Sequence, residues 1–234
     1  MRFRENERRQ RRAHRVSDGS NQQMDLDNLD ATVAFMRDHW HLITADESSY
    51  KPGIAATVWP VFEAAAAGDP EWPASLKKTY KEWSQQIGWR CASAFVDYVK
   101  DYPVAIGDAI RNLHGPIDAD DFWHTAFAPV GGREGLKNGF AQLSAPGTRG
   151  SLVSLVLFSR DHESFPIYRA RNSAVPLTKL LGEPLDKRSI ASTLISYYAG
   201  ITRLGKLLKE RGLPVRNNLD VQGVLWVVHD NKLI

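Results

Sequence analysis

A few short stretches of this 234-residue chain carry side chains able to do chemistry. In FPIYRARN, Pro166 forces its neighbour into an extended form. Tyr168, Arg169, Arg171 and Asn172 are therefore expected to leave the core on a short irregular corner. Two arginines and a tyrosine on a rigid corner suit phosphate contacts. They suit equally an internal role, with Arg169 paired to a carboxylate and its stem packed. Upstream, GTRGS at 147–151 sets backbone N–H groups and Arg149 at a helix start, which is a competent anion site. An ordinary glycine-rich turn has the same pattern, because every helix start leaves N–H groups unpaired. Lys179 follows on the next helix. Arg149, Tyr168, Arg169, Arg171, Asn172 and Lys179 make up the candidate phosphate- or DNA-binding set.

A second basic feature lies at the N-terminus. Residues 1–16 hold seven arginines (Arg2, Arg4, Arg8, Arg9, Arg11, Arg12, Arg15) against Glu5 and Glu7, a surplus of five. With a total of +3, the other residues carry a net −2. The basic balance thus belongs to an arm, read as disordered over 1–24. Arg8, Arg9, Arg11 and Arg12 could bind phosphates there by counterion release, or form a solvated leader.

Other chemistry is unsupported. There is no GxxxxGK[ST] phosphate loop, GxGxxG, GxSxG elbow, HExxH or paired CxxC, so neither a cofactor nor a metal is expected. Asp118, Asp120 and Asp121 suggest metal binding on sight, but acidic residues in a first turn are what the helix dipole favours. His39 and His41 are two apart and fall on different sides of a helix. His162-Glu163 sits in a turn. The single cysteine, Cys91, excludes an internal disulfide and reads as a small core residue. No run approaches the ~18 apolar residues of a membrane span, and the basic N-terminus lacks an apolar h-region. The expected location is the cytoplasm.

The elements that must position these groups are helices. Leu29, Val33, Met36 and Trp40 mark a helix over 26–43, capped by Asp25 or Asp27. ADESSYKPG reads as a loop. A helix over 54–67 is kinked or broken at Pro60. One long helix covers 74–102, interrupted only by Gly88, and a short one covers 104–114. After Gly115-Pro116, helices are expected from Asp118, over 134–143, from Gly147, and from Asn172 or Ser173. Asp186 or Ser189 caps a long helix through Arg211. Asn217 or Asn218 caps 219–228, where VLWVV could instead be a short buried strand. The fold class is all-α, a multi-helix bundle. It is either one domain over 25–234 or two lobes, 25–115 and 116–234.

The succession SLVSLVLFSRDHESFPIYRARNSAVPLTKLLG, a long tyrosine-containing helix and NNLDVQGVLWVV resembles a helical region upstream of the motor module in McrB-like restriction proteins. Those are the AAA+ GTPases and ATPases that restrict foreign or modified DNA. The shared features are an apolar helix at 152–158, a Phe-Pro-Ile corner with arginine at 165–171, and the closing segment 219–228; the likeness spans about 118–230. It implies a region that recognises DNA or a partner, while a following module hydrolyses nucleotide. Here no phosphate loop precedes Ile234, so no catalytic residue carries over. What is implied is a detached specificity subunit, a truncated product or a relative with another role, with DNA and an AAA+ motor or nuclease subunit as partners. Two other functions stay open: a helical DNA-glycosylase-like enzyme using Lys179 and Asp220, and a helical scaffold pairing through 219–228.

Overall fold

Residues 26–44 and 48–233, which the computed structural model describes, form thirteen α-helices and no strand. The arginine arm, with Arg8, Arg9, Arg11 and Arg12, lies outside the described residues. Helix α1 (Leu26–Leu42) buries Leu29, Val33 and Met36 and kinks at His39. Helix α2 (Ser48–Ala67) begins six residues before the expected 54 and takes in the Ser48–Gly53 part of the expected loop. It runs through both Pro52 and Pro60. Burial of Ile54, Val58, Val61, Phe62 and Ala65 outweighs the bond that Pro60 cannot donate.

The single helix expected over 74–102 is three: α3 (Trp72–Lys78), α4 (Tyr80–Ile87) and α5 (Trp89–Asp101). Gly88 separates the last two in a left-handed conformation, φ +88°, that few other residues adopt without strain. Periodicity passes through such a break, so Trp83, Ile87, Cys91 and Phe95 stay on one buried stripe while the axis turns.

Next come α6 (Pro103–Asn112), a 3₁₀ turn at Pro116–Asp118, and α7 (Ala119–Phe127). The helix expected over 134–143 divides into α8 (Gly132–Leu136) and α9 (Ala141–Ser144). Helix α10 (Pro146–Arg160) is followed by an extended corner, a π turn at Ala170–Ala174 and α11 (Val175–Leu181). The long α12 (Ile190–Glu210) is capped by Ser189, whose hydroxyl accepts from Ser192 N–H. In α13 (Asn218–Asp230) the Asn217 side chain accepts from Leu219 and Asp220 N–H. That cap settles the VLWVV segment as helix rather than strand.

Residues 151–159 of α10 are buried on every side, as befits a helix apolar all round. Helix α10 packs against α2 and α4 from the first half of the chain and against α7 and α12 from the second. Its serines bury no unpaired hydroxyl. Ser154 Oγ donates to Ser151 O at 2.9 Å and Ser159 Oγ to Leu155 O at 2.8 Å. No described helix is long and apolar enough to cross a membrane.

Candidate functional site

A cleft of about 360 Å³ opens where α10 and α12 begin, with Asp120, Arg149, Tyr168, Ala170 and Lys187 among its lining residues. The start of α12 is already occupied. Asp120 accepts from Ile190 N–H at 3.0 Å and Ala191 N–H at 3.2 Å, which places a carboxylate of α7 where an anion would sit. Burial alone would raise the Asp120 pKa. The bonds from Ser189, Ile190 and Ala191, with His124 nearby, more than reverse that and hold it below the usual aspartate value. The first-turn acid expected to serve its own helix thus caps another one, 70 residues on.

Arg149, by contrast, has no protein partner for its hydrogen-bond donors among the described residues. Its Nε is buried and unpaired, and its guanidinium carbon stands 5.8 Å from the Trp123 ring centroid. Burial lowers its pKa and Arg133 adds to that, while Asp120 opposes it. A part-buried guanidinium with an unpaired donor beside an open cleft has the chemistry to hold an anion. Exposed Lys187 stands at the same cleft, also without a hydrogen bond or ion pair among the described residues. Arg188 is neutralised by Asp186, which accepts from its Nε at 2.9 Å.

The corner expected to leave the core does so only in part. Ile167 and Tyr168 are core residues, 2% and 5% exposed. Tyr168 N–H donates to Ser154 Oγ at 2.9 Å, and its carbonyl accepts from Ser151 Oγ at 2.8 Å. The Tyr168 ring stands edge-on to Tyr197 and lies so close over Gly150 that a Cβ there would come within 2.9 Å of it. Arg169 also turns inward, and its partners are carbonyls rather than the expected carboxylate. One terminal nitrogen donates to Gln85 O at 2.8 Å and Gln86 O at 2.7 Å, at the C-terminal end of α4. There a cation meets the negative end of the helix dipole. Its guanidinium also lies 5.9 Å from the Trp226 ring centroid.

Arg171 is exposed at this bend and has no hydrogen bond or ion pair among the described residues, with Asn172 half-buried beside it. Neither Asn172 nor Ser173 caps α11; Ser173 Oγ instead accepts from Arg169 N–H at 3.0 Å and braces the bend. Lys179 is exposed on α11 but does not line the cleft. The structure therefore brings Arg149 and Tyr168 together at the cleft, leaves Arg171 on the adjoining surface, and assigns Arg169 to the fold.

The remaining sequence candidates have structural roles. Asp118 accepts from His114 and Gly115 N–H at 2.9 and 3.0 Å. No group of three His, Cys, Asp or Glu able to hold a metal occurs among the described residues. His39 Nδ1 bonds the Phe35 carbonyl at 2.8 Å. Asp220, the glycosylase candidate, is fully buried and accepts from the backbone N–H, Nε and a terminal nitrogen of Arg216. A sealed carboxylate cannot meet an extruded base. Segment 219–228, the suggested scaffold face, is buried save for half-buried Trp226. Burial pushes the Cys91 thiol up to about 12 despite Arg169 and Thr148 nearby.

Two features escaped the sequence reading. Lys51, placed there in a loop, is 1% exposed in α2, and its Nζ donates to Gln222 Oε1 at 3.0 Å. Gln222 Nε2 in turn donates to the Ile167 carbonyl, so this buried amine supports the backbone of the corner. Trp89, which the sequence pattern did not single out, is 57% exposed. Nothing in local composition marks either residue, because both depend on which helices meet.

Comparison with known protein families, curated proteins and solved structures finds no match to this chain.

Proposed function

We propose that this chain is a non-enzymatic helical recognition module that binds DNA through its phosphates, at the cleft between α10 and α12. The observation that carries this reading is Arg149, a part-buried guanidinium with an idle donor at the edge of a cleft. Lys187 and Arg171 supply further uncompensated positive charge on the same end of the bundle. The likeness to the region upstream of McrB-like motors supports a restriction or anti-phage setting. In that setting a separate AAA+ motor or nuclease subunit would perform the cutting.

Fluorescence polarisation with a labelled duplex at several salt concentrations tests the reading. Arg149→Ala should weaken binding about 3- to 10-fold and flatten the slope of log affinity against log salt by about 0.9, the change for one lost phosphate contact. Unchanged affinity and slope would remove Arg149 from the interface. No binding at low salt, with or without residues 1–16, would remove duplex DNA as the ligand.

A further inference from the structure

Helix α12 turns its apolar residues into the core, yet its outer side is not an ordinary solvated face. A groove of about 540 Å³ runs along it, between the helix and the place where residues 164–165 meet the start of α13. Phe165, Tyr198 and Ala199 form its apolar floor. The Phe165 and Tyr198 rings meet edge to face with centroids 5.2 Å apart. The Tyr198 hydroxyl is shielded from solvent, so it adds no polar group to that floor. Asn218 Nδ2 ties the walls together, donating to Ser164 O at 3.1 Å and Thr202 Oγ1 at 3.4 Å.

The rim is cationic. Arg203 and Lys206 line the groove, and Lys209 continues the row at the same three-residue step that keeps helical neighbours on one side. Arg203 is answered by Glu183, whose Oε1 accepts from its Nη1 at 2.5 Å. Lys206 and Lys209 are exposed and have no hydrogen bond or ion pair among the described residues.

This surface is separate from the cleft. Thr193 lines the cleft and Thr202 the groove. At 3.6 residues per turn they are about two and a half turns apart and point to opposite sides of α12. Lys206 lies about 20 Å along the axis from Thr193, more than twice the screening length of about 8 Å at physiological salt.

Unanswered lysines beside an apolar floor fit a ligand that joins carboxylates to an apolar anchor. Glu183 already docks one carboxylate in this row. Nucleic acid would bring phosphates to the lysines but bases to the floor, where no ring offers an open face. Tyr198 is 7% exposed, and half-buried Phe165 is packed against it. We infer that the groove between α12 and α13 docks an acidic segment of a partner protein. One large apolar side chain of that segment rests on Phe165, Tyr198 and Ala199, and its carboxylates pair with Lys206 and Lys209. Occupancy of this groove does not depend on the phosphate-binding reading of the cleft.

The test measures polarisation of three labelled twelve-residue peptides with the full chain. One has glutamates around a central Leu-Phe pair, the second has Gly-Gly in place of that pair, and the third has lysines around Leu-Phe. Circular dichroism first establishes that each variant is folded. The wild type should bind the acidic Leu-Phe peptide at least about 5-fold more tightly than the Gly-Gly peptide, reflecting partial burial of an apolar side chain. It should bind the lysine peptide more weakly still. Lys206→Glu combined with Lys209→Glu should reverse the choice between acidic and lysine peptides while leaving duplex DNA binding within about 2-fold. Attraction of acidic peptides to the arginines of residues 1–16 would respond neither to the Leu-Phe pair nor to these two lysines. Arg149→Ala, which tests the cleft, should leave all three peptides unchanged. No binding of the acidic peptide, equal affinity for the Gly-Gly peptide, or an unreversed choice in the double variant would overturn the docking assignment. Loss of duplex binding in the double variant would give this side of α12 to nucleic acid instead.

Discussion

Replacing Arg169 with methionine separates a residue that holds the fold from one that holds a ligand. Methionine keeps most of the stem beside Trp226 but deletes the charge and the two bonds onto the α4 terminus. A hydrogen bond from a charged donor contributes about 1.5–3 kcal/mol, and a cation at a helix C-terminus about 0.3–1 kcal/mol. Gln85 is exposed, so water can recover part of its carbonyl's loss, whereas buried Gln86 has no such substitute. The expected cost of Arg169→Met is therefore about 2–4 kcal/mol. For a folded region of this size that corresponds to a fall in Tm of about 4–16 °C. Urea unfolding followed by circular dichroism at 222 nm measures it, with Arg169→Lys expected to recover part of the loss. A cost below about 0.5 kcal/mol would refute the capping role. Loss of oligonucleotide binding at unchanged stability would instead return the guanidinium to the ligand site.

Leu155 is fully buried at the centre of α10, and Leu155→Ala should cost about 2–5 kcal/mol by urea unfolding; a loss under about 1 kcal/mol would mean that α10 is not the central packing element. Asp120→Asn should cost about 0.5–2 kcal/mol at pH 7, since a charged cap on α12 is lost. Because the folded pKa of Asp120 is depressed, its stabilisation is present above the unfolded value of 3.8 and is lost as pH falls through the folded one. The stability gap between wild type and Asp120→Asn should therefore shrink below about pH 4, and a constant gap down to pH 3 would contradict the cap. With its pKa pushed up to about 12, only roughly one Cys91 in 10⁴ is thiolate at pH 8. Native protein should resist a disulfide-exchange reagent for an hour and react within minutes in urea; fast native labelling would show that the thiol is open.

Helices were legible because the spacing of Leu29, Val33 and Met36, or of Leu194, Ile201 and Leu208, reports a buried stripe directly. The N-caps Ser189 and Asn217 were among the alternatives that local chemistry offered. The division of 74–102 into three helices was not legible, because an apolar stripe continues across a turn whenever both arms face the same core. The candidate site was half legible. Arg149 stood out beside glycines at a helix start, but that it lacks a partner among the described residues while Arg169 and Asp220 have theirs depends on carbonyls and side chains brought from elsewhere in the chain.

The sequence by itself determined an all-helical chain with its positive charge gathered in an arm and a bend, since periodicity and charge are properties of neighbours in the chain. Tertiary structure alone decided which cations remain free. Asp120 reaches α12, Lys51 reaches Gln222 and Arg169 reaches the end of α4, each joining groups at least 70 residues apart. Whether a buried charge is answered depends on which helix ends the packing brings within about 3 Å of it.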